Sequence, residues 1–242
     1  MVILAGIPPA GRSGAEVVLE NACIAAHVVR ALSSIERSHV VYLSSDAVYP
    51  DLPSGPGASL SERSCAAPTS AYGVSHRVRE SILRESLGDR LAILRSTMIY
   101  GAGDRHDAYG PNRMARSALS ERVIRLFGQG EDVRDYVACD DLVAWIVAAL
   151  ERRSVGVLNA ASGESTSALE LAECLRTLLG ADVRIERQAR TQPPSARCFD
   201  VAERRAAFPE LEARPLRRGL AELLRELRGE EGEGLAPRYP GS

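Results

Sequence analysis

The sequence predicts an α/β fold built on a parallel β-sheet, and three features of the chain point to it. Short apolar and β-branched runs, such as residues 40–43 and 91–94, have the length and composition of strands buried on both faces. Between such runs, longer segments repeat apolar residues at helical spacing, as residues 15–32 do. The strand-like runs end in hydroxyl-rich or glycine-rich turns. Because ligands bind at the carboxyl edge of open parallel sheets, these turns form the candidate site.

Composition bounds the class of protein. The 242 residues suffice for one sizeable domain with a small annex and a buried core. A net charge of -2 leaves no basic excess to neutralise phosphates, which argues against nucleic acid as a main partner. All 30 basic residues are arginine, so Schiff-base chemistry and lysine-dependent phosphate loops are excluded.

Cysteine usage and hydropathy bound the cellular setting. The five cysteines are widely scattered and lack C-x-x-C spacing, which is typical of reduced thiols and not of a disulfide framework or a zinc site. They are Cys23, Cys65, Cys139, Cys174 and Cys198. No apolar run approaches the ~18–20 residues of a membrane span, and the first residues lack the basic region of a signal peptide. We therefore expect a cytoplasmic protein that contacts no membrane and holds no metal.

Residues 40–80 carry the side chains best suited to catalysis. The strand at their start runs into Ser45, and a Pro/Gly/Ser-rich loop then leads to a helix that contains Tyr72 and His76. Residues i and i+4 lie on one face of a helix, so these two side chains are neighbours. A free tyrosine titrates near pH ~10, and a cation within roughly 4–6 Å lowers that pKa by about 1–3 units. A histidine of ordinary pKa is only about a quarter protonated at neutral pH, so His76 would lower the pKa of Tyr72 only in part.

The same residues resemble the active-site segment of the extended short-chain dehydrogenase/reductases, a family of NAD(P)-dependent nucleotide-sugar epimerases, dehydratases and reductases. That family has a strand ending in Ser-Ser-x-x-Val-Tyr-Gly, followed by Tyr-x-x-x-Lys on a helix. Residues 44–49 and 72–76 match these motifs, with His76 in place of the lysine. The resemblance implies a Rossmann-like parallel sheet, a small C-terminal α/β region that binds substrate, and hydride transfer to or from NAD or NADP.

The resemblance also assigns roles within the motif. Ser45 would hydrogen-bond the substrate oxygen, and Tyr72 would be the acid/base that moves a proton while hydride passes to or from the nicotinamide. Asp46 would be an extra proton donor, as acidic residues at this place are in some dehydratase and reductase relatives. His76 would be a substitute contact to the cofactor ribose. The alternative is that His76 is an ordinary half-exposed helix residue in a site that has lost its chemistry.

Two later segments resemble further motifs of the family. Residues 91–103 match its Arg-x-x-x-Val-Tyr-Gly-Pro-Gly strand and loop, which lie beside the nicotinamide and substrate. Residues 134–142 match Arg-Asp-Tyr-x-x-Val-x-Asp-Leu, in which the arginine anchors the substrate diphosphate. A planar guanidinium suits two-point phosphate recognition, so Arg134 is the first predicted substrate-binding residue. The alternative is a salt bridge with Asp135 or Asp140.

A second diphosphate contact is predicted near the carboxyl end. The family often places another such arginine ahead of an aspartate, and Arg190 and Arg197 both precede Asp200. Either arginine fits that pattern as a clamp on the nucleotide. The alternative for both is a solvated loop arginine.

The beginning of the chain resembles the family's fourth strand and the helix after it, in which Asn21 takes the place of an asparagine. The family's Gly-x-x-Gly-x-x-Gly turn belongs to the first strand and helix, so we expect it to be missing. About four parallel strands would remain, with residues 2–4 as an exposed edge open to pairing. The explanations are a start upstream, which we favour, a second polypeptide that completes the sheet, or a decayed relative. The resemblance implies cofactor contacts at Ala5, Gly6, Asn21, Ser44, Tyr72, His76 and Met98.

On this interpretation the chain has three parts. Residues 1–110 form a partial dinucleotide-binding Rossmann-like domain. Residues 111–228 combine the substrate-binding region with elements that return to the first domain. Residues 229–242, rich in Gly, Glu and Pro, form a disordered tail.

Three local structures are predicted in the second part. The apolar spacing favours one helix over residues 111–125. Asp140 and Asp141 are placed to cap the helix that follows them, and residues 165–167 are placed to cap a helix over 168–179.

The expected function is that of an NAD(P)-dependent epimerase, dehydratase or reductase acting on a nucleotide-activated sugar, as a homodimer. The alternative is a non-catalytic subunit that keeps the scaffold and binds a nucleotide sugar or a partner. The missing lysine and the missing glycine-rich turn favour the alternative, whereas the presence of both Ser45 and Tyr72 favours the enzyme.

Overall fold

The computed structural model describes residues 1–4, 6, 13–33, 35, 38–53, 59–104 and 110–229. Its strands, in chain order, are β1 (Val2–Ile3), β2 (Val40–Ser45), β3 (Leu52–Pro53), β4 (Leu91–Ser96), β5 (Met98–Tyr100), β6 (Val123–Phe127), β7 (Val133–Ala138), β8 (Gly156–Ala160), β9 (Ser165–Ser167), β10 (Arg184–Gln188) and β11 (Ser195–Ala196). Its α-helices are α1 (Gly14–Leu32), α2 (Ala71–Leu87), α3 (Gly110–Glu121), α4 (Cys139–Glu151), α5 (Ala168–Leu179), α6 (Ala202–Ala207) and α7 (Leu216–Leu227). The predicted cofactor residue Ala5 and nearly all of the predicted tail lie outside the described residues.

The main sheet has helices on both faces. On one face, Tyr42 of β2 packs in an apolar cluster with Leu32 of α1 and Leu83 of α2. On the other face, Val41 of β2 packs with Trp145 of α4. Neighbouring residues of β2 thus bury their side chains on opposite sides, which confirms the predicted α/β fold with strands buried on both faces.

The strands of this sheet are parallel and run in the order β1-β2-β4-β8. Among the described strands β1 pairs only with β2, so it forms the predicted edge. β2 and β4 pair in register from Val40 opposite Leu91 to Ser45 opposite Ser96. This register places Ser45 at the carboxyl edge of the sheet, next to the turn that follows β4.

A second group of strands lies with α3, α5 and α7 around its own apolar core. Four of its strands follow the order β3-β11-β7-β5, and β9 pairs with β7. β6 and β10 form a separate parallel pair. Buried residues of this core include Tyr136 of β7, Leu171 of α5 and Leu220 of α7.

The predicted helix over residues 111–125 is too long. α3 ends at Glu121, and Arg122 adopts a positive φ of 56° that stops the helix. Val123 then begins β6, in which Ile124 pairs with Ile185 of β10. The apolar pair that suggested a longer helix belongs to a strand because a partner about sixty residues later supplies its hydrogen bonds.

The predictions for the next two helix starts have opposite outcomes. Ser167 caps α5 in a capping box with Glu170, as predicted. The prediction that Asp140 and Asp141 cap α4 is wrong, because Ala138 is the N-cap residue and makes no side-chain cap bond. Asp141 instead accepts hydrogen bonds from the backbone and side chain of Arg214.

All five cysteines are free thiols. In the described part of the chain, no three His, Cys, Asp or Glu side chains cluster so as to hold a metal ion. No described helix combines the length and hydropathy that crossing a bilayer requires.

Candidate active site

The start of α2 is pressed against the turn that follows β2. A Cβ atom on Gly73 would overlap the carbonyl oxygen of Ala47 and lie 2.8 Å from the Cβ of Pro68, so only glycine permits this contact. Tyr72 precedes that glycine, and Ser45 is near enough to act on the pKa of its phenol as a hydrogen-bond partner. The two predicted catalytic hydroxyls therefore lie together at the carboxyl edge of the sheet.

Tyr72 is a protonated phenol at neutral pH. The residue is 37% exposed, yet burial of the rest of the side chain raises its pKa above the ordinary value. The hydrogen bond with Ser45 lowers that pKa, the charge of Asp46 raises it and the charge of Arg79 lowers it. A neutral phenol is ready to donate a proton, whereas accepting one requires the pKa to fall.

His76 is buried and uncharged. It is 6% exposed, which rules out the half-exposed helix residue considered from sequence. Its Nδ1 is hydrogen-bonded to the hydroxyl of Tyr42 at 2.9 Å, and its ring lies edge-on to that of Tyr72 with 4.6 Å between centroids. Burial, together with the charge of Arg79, lowers the pKa of His76 to about 3. The expectation of a partly protonated histidine at this position is therefore wrong.

Arg79, which the sequence reasoning did not single out, supplies the cation of this region. It is 3% exposed, and its Nη2 lies 3.2 Å from both ring nitrogens of His76. Its Cζ stands 5.4 Å from the ring centroid of Tyr42. A Cβ on Gly6 would lie 2.6 Å from Nη1, so the guanidinium fills the space at the end of β1. The helical i, i+4, i+7 spacing of residues 72, 76 and 79 was the signal for it.

A buried polar network lies behind these residues. The carboxylate of Glu80 receives two bonds from the guanidinium of Arg95, at 2.9 and 2.7 Å, and one from the hydroxyl of Ser44 at 2.7 Å. Arg95 also donates to the hydroxyl of Tyr49 at 2.7 Å, which in turn donates to Asn159 at 2.8 Å. The hydroxyl of Ser44, predicted to contact the cofactor, is thus committed to the interior.

Two other predicted cofactor residues have side chains in packed surroundings. Asn21 is fully buried, and its Nδ2 donates to the carbonyl oxygen of Val17 within α1 at 2.7 Å. Met98 lies in β5 opposite Tyr136 and packs against the core of the second group of strands. Of the described residues predicted to contact the cofactor, Gly6, Tyr72 and His76 are the ones that the structure gathers around Arg79.

Two of the three predicted phosphate-binding arginines meet beside the catalytic pair. Arg197 contacts Asp46 with Nη1 at 3.3 Å and Asp51 with Nε at 2.8 Å. Arg134 approaches the same Asp51 oxygen at 3.8 Å and donates to the Oγ of Ser195 at 2.8 Å. The two guanidinium groups thus converge on one carboxylate that is 42% exposed.

The alternative interpretation of Arg134 does not hold. The carboxylate of Asp135 is buried and accepts the backbone N–H groups of Ser162 and Gly163 at 2.8 and 2.7 Å. Burial raises the pKa of Asp135 to about 6, against the effect of those bonds. Asp140 instead pairs with Arg214 at 3.5 Å.

Arg190 lies apart from this group. Its guanidinium pairs with Asp132, and with Glu131 at 3.5 Å. Of the two arginines left open from sequence, the structure therefore brings Arg197 to the catalytic pair. Asp46 completes the group, because its Oδ1 accepts the Ser45 hydroxyl at 3.2 Å. Burial raises the pKa of Asp46, and the charge of Arg197 opposes that rise.

The residues at this edge fit the reacting end of a nicotinamide cofactor. Ser45 and Tyr72 present their hydroxyls together, and Gly6 keeps the end of β1 clear of a side chain, although Arg79 takes up part of that space. Within the ranges that the structure describes, no glycine-rich turn joins a strand of the main sheet directly to a helix. The fit therefore concerns the reacting end alone.

Solved structures of similar fold include nucleotide-sugar enzymes. One is MoeE5 in complex with UDP-glucose and NAD, which is 26% identical, with a TM-score of 0.78 over 94% of this chain and 78% of that one. Another is TunA, an NAD-dependent NDP-hexosamine 5,6-dehydratase of tunicamycin biosynthesis, at 23% identity and a TM-score of 0.80 over 96% of this chain and 77% of that one. The second likeness shows the fold alone.

Curated relatives resemble the chain over part of their length. A dTDP-4-dehydro-6-deoxy-D-allose reductase of Streptomyces bikiniensis is 30% identical over 150 residues, which are 60% of this chain and 45% of the relative. A dTDP-L-rhamnose 4-epimerase of Burkholderia thailandensis is 34% identical over 131 residues, which are 51% and 36% of the two chains. The chain thus spans about half the length of the curated relatives it matches or less. The family model matches residues 2–161, and the chain belongs to the NAD dependent epimerase/dehydratase family.

Proposed function

We propose that this chain supplies the proton-transfer and substrate-binding residues of an NAD- or NADP-dependent enzyme that acts on a nucleotide-activated sugar. The observation that carries the proposal is the placement of Ser45, at the carboxyl end of β2, near Tyr72, at the start of α2, beside two converging arginines. The family and the printed activities of its relatives, which are reductases, epimerases and dehydratases of nucleotide sugars, support this class of reaction.

Tyr72 moves the proton, and Ser45 orients the oxygen that receives it. The hydroxyl of Ser45 is anchored, since it accepts the backbone N–H of Ala47 at 3.2 Å and contacts Asp46. A substrate carbonyl that accepts hydrogen bonds from both hydroxyls is polarised toward hydride addition. Because Tyr72 rests in the protonated state, keto reduction is the direction that its pKa favours. Asp46, whose pKa is raised by burial, becomes a second proton donor beside Ser45 when its carboxylate is protonated.

The cofactor enters this scheme only through its reacting end. A nicotinamide, when bound, supplies or accepts the hydride. Gly6 and Tyr72 are the residues of this chain that would border it.

Arg134 and Arg197 hold the diphosphate of the substrate. Both are largely withdrawn from solvent, with 17% and 16% of their side chains exposed, and both face the same carboxylate oxygen. A guanidinium offers paired donors to phosphate oxygens, and the low solvent exposure strengthens those bonds. The diphosphate would thereby place the sugar next to Tyr72.

The test is an assay of Tyr72→Phe. The purified chain is combined with NADH or NADPH and a panel of dTDP- and UDP-linked keto sugars, and cofactor oxidation is followed by absorbance. We expect turnover by the unmodified chain and a loss of about 10²–10⁴-fold in kcat for the variant. Calorimetric titration with UDP and dTDP is the control, because the variant should keep nucleotide affinity. A variant with full activity would refute the role of Tyr72.

A specific observation supports a non-catalytic nucleotide-sugar-binding subunit as the second candidate. The residue that replaces the family's lysine is neutral, and its Nδ1 is bonded to Tyr42. Under this candidate the unmodified chain binds UDP or dTDP through Arg134 and Arg197 but turns over no keto sugar with either cofactor. The same assay and titration therefore separate the two functions.

A further inference from the structure

The site lacks a charge where its family carries one. His76 takes the place of the lysine in the Tyr-x-x-x-Lys motif, and its low pKa keeps it neutral throughout the range in which enzymes of this kind act. A tyrosine without a nearby cation exchanges its proton poorly at neutral pH, since its ordinary pKa is about 10. The charge must therefore come from elsewhere in the site if Tyr72 is to work.

One arginine is placed to provide it. Arg79 lies on the same helix as Tyr72 and His76, and its Nη2 contacts both ring nitrogens of His76 at 3.2 Å. The His76 ring in turn lies edge-on to the Tyr72 ring, with 4.6 Å between centroids. The guanidinium, the imidazole and the phenol thus form a continuous series of contacts along one face of α2.

Because Arg79 is buried, its charge acts over a longer distance than a surface charge would. Arg79 is 3% exposed, and interactions of a charge withdrawn from water are screened less than those at a surface. The charge of Arg79 accordingly lowers the pKa of Tyr72 as well as those of Tyr42 and His76.

We propose that Arg79 is a positioning residue that supplies, through the His76 ring, the positive charge which the family's lysine gives to the catalytic tyrosine. In this arrangement His76 is a neutral spacer that is fixed by its hydrogen bond to Tyr42. It does not itself supply part of the lysine's charge. The inference rests on the proposed function of Tyr72, but its central claim concerns the electrostatics of the phenol and is measurable without turnover.

Other groups around Tyr72 also affect the pKa of its phenol. Ser45 bonds to the phenol, and Asp46 faces it with a negative charge that Arg197 partly neutralises. These groups are unchanged when Arg79 is replaced. The pKa of His76 rises when the charge of Arg79 is removed, but burial still keeps it below the ordinary value, so His76 stays neutral above pH ~8 and a shift in the Tyr72 pKa in that range reports on Arg79.

The experiment replaces Tyr72 with a ring-fluorinated tyrosine, whose more acidic phenol titrates closer to neutrality, and follows it by fluorine NMR. We expect Arg79→Gln to raise the pKa of the phenol by about 1 unit, the lower end of the range for a neighbouring charge, because Arg79 acts from beyond the His76 ring. Arg79→Lys keeps the charge and should retain most of its effect. The double replacement His76→Lys with Arg79→Ala rebuilds the family arrangement and should bring the pKa back down.

Arg84→Gln is the matched control. It removes the same charge from the same helix at an exposed position, so it should leave the phenol pKa unchanged. The proposal is overturned if Arg79→Gln shifts the pKa no more than Arg84→Gln does. If Arg79→Gln does not fold, the double variant is compared with the unmodified chain: similar phenol pKa values support the proposal, because the lysine then only replaces a charge that Arg79 already supplied, and a pKa more than about 1 unit lower in the double variant overturns it.

The result is separable from the function proposed above. If the chain has no turnover but the pKa of Tyr72 changes when Arg79 is replaced, this inference holds and the proposed enzymatic function is refuted. If the chain turns over but the pKa of Tyr72 does not change when Arg79 is replaced, the enzymatic function holds and this inference is refuted. In an active chain the alkaline limb of the pH profile of kcat/KM should move with the NMR pKa across the same variants.

Discussion

Arginines of the same site region are paired with carboxylates in two different ways. Arg95 is 4% exposed, and Glu80 binds it with two hydrogen bonds while remaining inaccessible itself. Arg134 and Arg197 instead share one oxygen of Asp51, a carboxylate that is 42% exposed. Arg95 is closed to ligands. Asp51, in contrast, is free to be displaced from Arg134 and Arg197 by an incoming anion.

This difference shows how structural arginines can be told from ligand-binding arginines in a chain that contains arginine but no lysine. A buried guanidinium with a buried, two-point carboxylate is saturated, and its role is to hold elements together, here α2 against β4. A guanidinium whose acidic partner is exposed retains donors for a ligand. Four substitutions sharpen this comparison.

The largest effect is expected for Glu80→Ala, which leaves Arg95 charged and buried without its carboxylate. We expect the free energy of unfolding to fall by about 3–5 kcal/mol, as measured by urea denaturation followed by circular dichroism. Glu85→Ala, at an exposed position of the same helix, should change it by less than about 0.5 kcal/mol. Equal losses in the two variants would show that the Glu80–Arg95 pair does not stabilise the packing of α2 against β4.

An intermediate effect is expected for Arg134→Gln and Arg197→Gln. Each removes charge-assisted hydrogen bonds to a diphosphate, worth about 1.5–3 kcal/mol, so the Kd for UDP should rise roughly 10- to 100-fold in calorimetric titration. The free energy of unfolding should change much less than in the Glu80 variant.

Arg190→Gln is the control for this pair, since Arg190 is directed to Asp132 and Glu131. It should leave the Kd for UDP unchanged. If this variant weakens binding as much as Arg197→Gln does, the assignment of the clamp to Arg197 is wrong.

The smallest effect is expected for Asp51→Asn, and it has the opposite sign. Asp51 competes with the diphosphate for both guanidinium groups, so its neutralisation should tighten UDP binding. Exposed ion pairs are worth about 0.2–1 kcal/mol, which corresponds to at most about a fivefold fall in Kd. The gain should shrink as salt is raised, because the competing pair is screened. Weaker binding by this variant would mean that Asp51 orients the arginines and does not compete with the ligand.

The local part of the site was predictable from sequence because it depends on local geometry. Strand β2 ends at Ser45 and α2 begins just before Tyr72, and the parallel sheet then brings the two hydroxyls together. The number of parallel strands in the main sheet, about four, was implied by the resemblance to the family, and the order β1-β2-β4-β8 agrees with it. The positions of Ser45 and Tyr72 at the ends of their elements are encoded within a few residues of where they occur.

The remainder depends on contacts between distant segments. Arg197 reaches the site because its backbone N–H bonds to Val133 across β11 and β7, a pairing that no spacing rule predicts. Likewise His76 is neutral because the fold buries it and places Arg79 beside it, while Tyr42, from a strand more than thirty residues earlier, fixes its ring. The charge state of one residue was thus decided by the packing of another element.

Gly73 determines how much freedom the site has to change. The close approach of α2 to the carbonyl of Ala47 holds the backbone beside Tyr72 against the turn that follows Ser45. A side chain at position 73 would push the helix away from that turn and separate the two hydroxyls. The distance between the phenol and the serine is therefore set by a residue that carries no functional group of its own.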